Sequence, residues 1–80
     1  MSSDPEYLKP DDFDFCLAHV VEECGEVLAA AGKTQRWGRK SVDPTLKEQY
    51  QETNEKWLLR ELTDLEEAIV RLRSAMGTYP

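Results

Sequence analysis

Eighty residues with ten Lys and Arg against sixteen Asp and Glu make one small acidic domain, net charge −6. That balance excludes nonspecific nucleic-acid binding, which needs a basic surface, and a 40% hydrophobic, 32% charged composition reads as globular, not disordered. No stretch approaches the roughly 20 apolar residues of a membrane span, and Met1 to Glu6 lacks the basic and apolar regions of a signal peptide, so cytoplasm is the expected location.

Residues 1–10 read as a lead-in, with a helix start at Pro10, Asp11 and Asp12, where acids favour the positive end of the helix dipole. From there Phe13, Leu17, Val20, Val21, Cys24, Val27, Leu28 and Ala31 recur at helical spacing. The other side of this helix carries Glu22, Glu23, Glu26, His19 and Lys33 among the small residues Ala18, Ala29 and Ala30, with Gly25 close by. Small residues admit a second backbone, so this helix is expected to be covered on both sides, its acids lining a crevice. Cys16 and Cys24 lie eight residues apart on it, about 12 Å along the axis and beyond disulfide reach. Both read as reduced core residues, and two cysteines without a second pair make a poor zinc site.

Gly38 is the expected cap of this helix, after helical character that persists through Trp37. Residues 39–50 read as a connection, interrupted by a short helical turn that Asp43 and Pro44 would open. The second helix is expected to begin at Thr53 or Asn54 and run to about Met76, stopped by Gly77. Leu58, Leu62, Leu65, Ile69, Leu72 and Met76 form its apolar stripe, with Glu61 and Asp64 on the margin. Residues 78–80 are a tail. The expected fold is all-α: two long antiparallel helices per chain forming a bundle completed by oligomerisation, as a homodimer or homotetramer, because two helices cannot cover their own apolar faces.

Within each helix, acids three apart (Glu23 and Glu26, Glu61 and Asp64) share a surface. If the helices pack side by side, four or five carboxylates converge and repel unless a cation joins them. Mg²⁺ takes oxygen ligands and usually brings phosphates, which points to a magnesium-dependent hydrolase of phosphate esters or anhydrides. The alternative for Glu22, Glu23 and Glu26 is three solvated glutamates. For Glu61 and Asp64 it is ion pairing with Arg60 and Arg71.

E-E-x-x-E over Glu22, Glu23 and Glu26, then E-x-x-D over Glu61 and Asp64, resembles the signature of the all-α nucleoside triphosphate pyrophosphohydrolases, the MazG-like superfamily. The similarity spans residues 13–76 within an expected domain of residues 11–77. It includes the Lys-Thr-Gln-Arg-Trp-Gly run after the first motif. The resemblance implies hydrolysis of a nucleoside or deoxynucleoside triphosphate between its α and β phosphates, to the monophosphate and pyrophosphate, in nucleotide-pool sanitation. It implies Glu23, Glu26, Glu61 and Asp64 as ligands of Mg²⁺, with Mn²⁺ as a substitute. Glu22 would hold a further ion or, with Glu23, act on the attacking water.

Lys33, Arg36 and Lys40 are candidate contacts to substrate phosphates, against the alternatives of a solvated lysine and a basic helix end. Trp37 either closes the bundle end or stacks on a nucleobase, and Trp57 and Tyr50 face the same choice. His19 is expected to pair with Glu22 or Glu23 at i+3 or i+4 in preference to a metal. Two rivals accompany the enzyme reading. One is a noncatalytic helical dimerisation module. The other is a di-iron carboxylate protein, whose Glu-x-x-His pairs this chain lacks.

Overall fold

A computed structural model describes residues 13–77. The expected lead-in, the helix start at Pro10 to Asp12 and the tail over residues 78–80 lie outside the described residues. The architecture is all-helical: α1 (Phe13–Trp37), a connection holding one 3-10 turn (Glu48–Tyr50), and α2 (Asn54–Ala75), with no β-strand among the described residues. The two helices pack along each other as a hairpin.

The helix boundaries follow from local chemistry. Gly38, at φ 99°, takes the left-handed conformation that closes α1, and its N–H donates to the Thr34 carbonyl at 2.9 Å. Thr53 caps α2, its hydroxyl accepting from the Lys56 N–H at 3.2 Å. Gly77, at φ 77°, ends it.

Burial along the helices reveals the seam between them. On α1 the covered positions include Cys16, Val20, Glu23, Val27, Ala30 and Thr34; on α2 they include Asn54, Leu58, Glu61, Leu65, Ala68, Leu72 and Ala75. Each set alternates steps of four and three, the heptad spacing that keeps one helix line facing a partner. The seam is unusual in content. Its fully or nearly fully buried apolar members are only Cys16, Ala30 and Ala68, and a glutamate stands within each helix's run, Glu61 being 6% exposed.

Besides the half-covered Val20, Val27, Leu58, Leu65 and Leu72 of the seam, several large apolar side chains lie outside it. Leu17, Val21 and Leu28 of α1, Leu62 and Ile69 of α2 and Met76 just after it are exposed, Val21 by 64% and Leu28 by 72%. At 100° per residue, Leu17, Val21 and Leu28 fall on the side of α1's seam away from Glu22 and Glu26. The expected apolar stripe of α1 is therefore split, its inner members Val20, Val27 and Ala31 half-covered and its outer ones bare. The expected crevice is narrower than the sequence suggests: Glu23, His19 and Ala30 turn towards α2, whereas Ala18, Glu22, Gly25, Glu26, Ala29 and Lys33 are exposed. Cys24 is also exposed, so only Cys16 is a core cysteine, and no disulfide joins them.

The connection is fastened to the start of α2. Val42 and Thr53 form an antiparallel bridge, the Asn54 N–H donates to the Ser41 carbonyl at 2.8 Å, and the Glu55 N–H to that of Arg39 at 2.9 Å. Arg39 grips Glu55 through Nε at 3.2 Å and Nη2 at 3.0 Å, and Lys40 adds a contact at 3.3 Å. Asp43 and Pro44 open a single hydrogen-bonded turn, closed by the Leu46 N–H on the Asp43 carbonyl at 3.3 Å, and no helix follows directly from it. Asp43 Oδ1 accepts from the Thr45 N–H at 2.9 Å and hydroxyl at 2.6 Å, a local Asx turn, and the helical turn comes later, at Glu48–Tyr50.

Candidate functional site

Two features lie on the flank of the seam opposite the exposed leucines: a group of carboxylates and, one turn along α2, a cavity. Glu23 reaches the group from α1, and Glu61 and Asp64 reach it from α2. One oxygen of each lies within 4.8 Å of the others. Heptad placement brings Glu23 and Glu61 face to face, and Asp64, three residues on, shares Glu61's surface. Glu61 is held by two donors, the Trp57 indole N–H at 3.1 Å and Arg60 Nη1 at 3.3 Å, both on Oε2.

A second group shares Glu23. His19, Glu22 and Glu23 also bring ligand atoms within 4.8 Å of one another, and His19 Nε2 is 3.3 Å from Glu23 Oε2. The pairing of His19 with Glu23 is thus the one made. Glu26 is exposed and belongs to neither group. At three residues from Glu23 it is rotated about 60° out of the seam, onto the rim.

An all-oxygen donor set from three carboxylates is the chemistry that Mg²⁺ takes. Each of the three offers an oxygen within 4.8 Å of the other two, so the group matches such an ion in donor type. Arg60 is the cation already in place. Its pKa is raised, first by its hydrogen bond to Glu52 and then by the charges of Glu52, Glu61 and Asp64. The expected alternative, Arg60 pairing with Glu61, is therefore also realised.

The cavity, about 760 Å³, is formed where the connection folds over the end of α1 and the start of α2. Lys33 and Trp37 from α1, Tyr50 from the 3-10 turn, and Asn54, Trp57 and Arg60 around α2 are among its walls. Of the expected substrate contacts, Lys33 and Trp37 thus line a common space. Lys40 is engaged with Glu55, and Arg36 is exposed at the end of α1 and is not part of the cavity wall. Asn54 is buried, and its amide donates to the carbonyls of Lys33 at 3.4 Å and Gly38 at 3.0 Å, tying α2 to the end of α1.

Sequence reasoning gave Arg60 no role beyond an ion pair and missed its double engagement, Nη2 on Glu52 and Nη1 on Glu61. It also missed the Trp57 bond to Glu61, although the i,i+4 spacing of an indole donor and a carboxylate was the available signal. Compared with protein-family models, with curated proteins and with solved structures, the chain matches none.

Proposed function

We propose that the chain is a Mg²⁺-dependent pyrophosphohydrolase that cleaves a (deoxy)nucleoside triphosphate between its α and β phosphates, releasing pyrophosphate in nucleotide-pool sanitation. The observation that carries this reading is the meeting of Glu23, Glu61 and Asp64, from segments 38 residues apart in sequence, within 4.8 Å of one another. Carboxylates in a helix seam weaken packing, and a seam that hosts them has a use for their charge. Glu23, Glu61 and Asp64 would hold the ion, and Glu26, exposed nearby, would join them. Mn²⁺ would substitute. Bound there, a divalent ion supplies charge neutralisation on phosphate oxygens and a more acidic water. The chain's own part would be to gather the oxygens, and Glu22 beside Glu23 would orient water and accept its proton. Lys33 would meet the phosphates.

The exposed apolar flank supports self-association through Leu17, Val21 and Leu28 of α1 with Leu62 and Ile69 of α2, as a homodimer or a homotetramer. The same flank favours a second reading, a noncatalytic dimerisation module. The test is pyrophosphate release from a panel of ribo- and deoxynucleoside triphosphates, modified bases included, with Mg²⁺ or EDTA. Activity should require the ion and fall at least a hundredfold in Glu23→Ala, Glu61→Ala and Asp64→Ala. No release from any member of the panel, or full activity in all three variants, sinks the enzyme and leaves the module.

A further inference from the structure

We propose, building on the ion site argued above, that Trp57 is a positioning residue of the carboxylate group. Its indole N–H fixes one oxygen of Glu61, keeps Arg60 to a single contact there, and so reserves the other oxygen for a divalent ion.

Glu61 is the most buried member of the group, 6% exposed against half-buried Glu23 and Asp64. Little water reaches its carboxylate, which must take donors from the chain. A carboxylate accepts at about four positions, shared between its two oxygens. Both donors to Glu61 fall on Oε2: Trp57 Nε1 at 3.1 Å and Arg60 Nη1 at 3.3 Å. No described residue donates to Oε1. That oxygen is left to a ligand from outside the chain, on a side chain that already meets Glu23 and Asp64.

The two donors differ in kind. Trp57 stands one turn before Glu61 on α2, and an indole has a single N–H, so it can hold one oxygen only. Arg60 is a planar fork able to take both oxygens of a carboxylate at once. It is loosely committed, with Nη2 on Glu52, Nη1 on Glu61 and a side chain 54% exposed. The last torsion of a glutamate is soft. Without the indole bond, Glu61 can turn and present both oxygens to the fork, closing the one that an ion needs. Partners that hold ligand carboxylates from outside commonly set metal affinity in this way.

A buried glutamate needs donors even with no ion to bind, so stability alone does not separate the two roles. Ion affinity does. Trp57→Phe keeps a ring and removes the N–H. Mg²⁺ and Mn²⁺ are titrated calorimetrically into the intact parent, Trp57→Phe, Arg60→Gln and the double variant, with melts in EDTA to check folding. Trp57→Phe should weaken the ions about tenfold, but only about threefold where Arg60 is already Gln, because the competing fork is gone. A second readout needs no change at Trp57. The chain has two tryptophans, so Trp37→Phe leaves Trp57 as the one indole N–H resonance, which should shift with Mg²⁺ and saturate at the calorimetric Kd. Equal affinity in the parent and a folded Trp57→Phe, an equal loss in both backgrounds, or a resonance unmoved at saturation would overturn the assignment. Should Trp57→Phe fail to fold, the resonance decides alone. A parent that binds neither ion removes the site and the role of Trp57 together. Ion binding that weakens in Trp57→Phe, with no hydrolysis of any nucleotide, removes the enzyme and keeps the positioning role.

Discussion

Replacing Glu23 with leucine should make the metal-free hairpin more stable, and the size of the gain can be worked out. Glu23 occupies a seam position with its side chain 15% exposed, in the same heptad run as Val20 and Val27. A buried leucine is worth about 1.5–3 kcal/mol, but the glutamate's methylenes already contribute part of that. The variant also loses the His19 contact at 3.3 Å, a partly exposed pair worth about 0–1 kcal/mol, and sheds repulsion from Glu61 and Asp64. The net is about 1–2 kcal/mol, or roughly 4–16 °C in Tm for a domain of this size. Melting in EDTA at one fixed protein concentration, since self-association makes Tm concentration-dependent, should place Glu23→Leu above the parent. Saturating Mg²⁺ should then reverse the order: an ion at a hundred times its Kd adds about 2.7 kcal/mol to the chain that binds it and nothing to the variant. A variant less stable in EDTA would refute the packing argument. An equal Mg²⁺ shift in both proteins would refute the site.

Arg60→Gln should tighten divalent-ion binding about two- to fivefold by calorimetry, because it removes the cation that now occupies Glu61; weaker binding would make Arg60 a support of the site, not a competitor. Glu55 titrates below the ordinary glutamate value of 4.5, chiefly through its hydrogen bond from Arg39 and then that from Lys40. Its stabilisation is therefore complete above that value and lost as pH falls through the lowered one. Carboxyl NMR should find this depressed titration, and Glu55→Gln should flatten the acid limb of the melting curve. Gly38→Ala, forced to φ 99°, should cost about 1 kcal/mol or more, whereas Gly32→Ala, in the helix with nothing within 4 Å of the added methyl, should gain about 0.5–1 kcal/mol; equal effects in thermal melts would contradict the backbone assignment. Leu28→Glu on the bare flank should shift the chain towards monomer by sedimentation, and an unchanged mass would exclude that flank from the interface.

Three helix ends were legible because they are written in one or two residues: the Thr53 hydroxyl, Gly38 and Gly77. The side of α1 that faces α2 was not. Hydrophobic periodicity assigns the core to the apolar side, but here apolar positions from Phe13 to Ala31 cover too wide an arc for one neighbour, and the seam itself runs through Glu23 and Thr34. A pattern rule counts those two as surface. Asp43 misled for a related reason, since an aspartate before proline opens a helix or an Asx turn equally well, and the Thr45 hydroxyl and N–H decide for the turn. The spacing of the acids suggests that Glu23, Glu61 and Asp64 meet. The cavity was beyond reach, because its walls come from three separate segments that only the bridge between Val42 and Thr53 and the grip of Arg39 on Glu55 bring together.

The distribution of apolar side chains explains how so small a chain can hold carboxylates at its centre. A seam whose fully buried apolar members are Cys16, Ala30 and Ala68, with Val20, Val27, Leu58, Leu65 and Leu72 only half-covered, contributes limited burial, so the hairpin alone is a marginal fold. Leu17, Val21, Leu28, Leu62 and Ile69 are on the outer flank, where the proposed self-association would cover them. In the proposed oligomer, stability would be drawn from between chains, and the line between α1 and α2 would carry less of the packing. Small residues such as Ala30 and Ala68 let the helices approach, and that approach brings the Glu23 and Glu61 oxygens together. A stronger seam, with leucine at those two positions, would fold better alone and would leave nothing for a cation to bind.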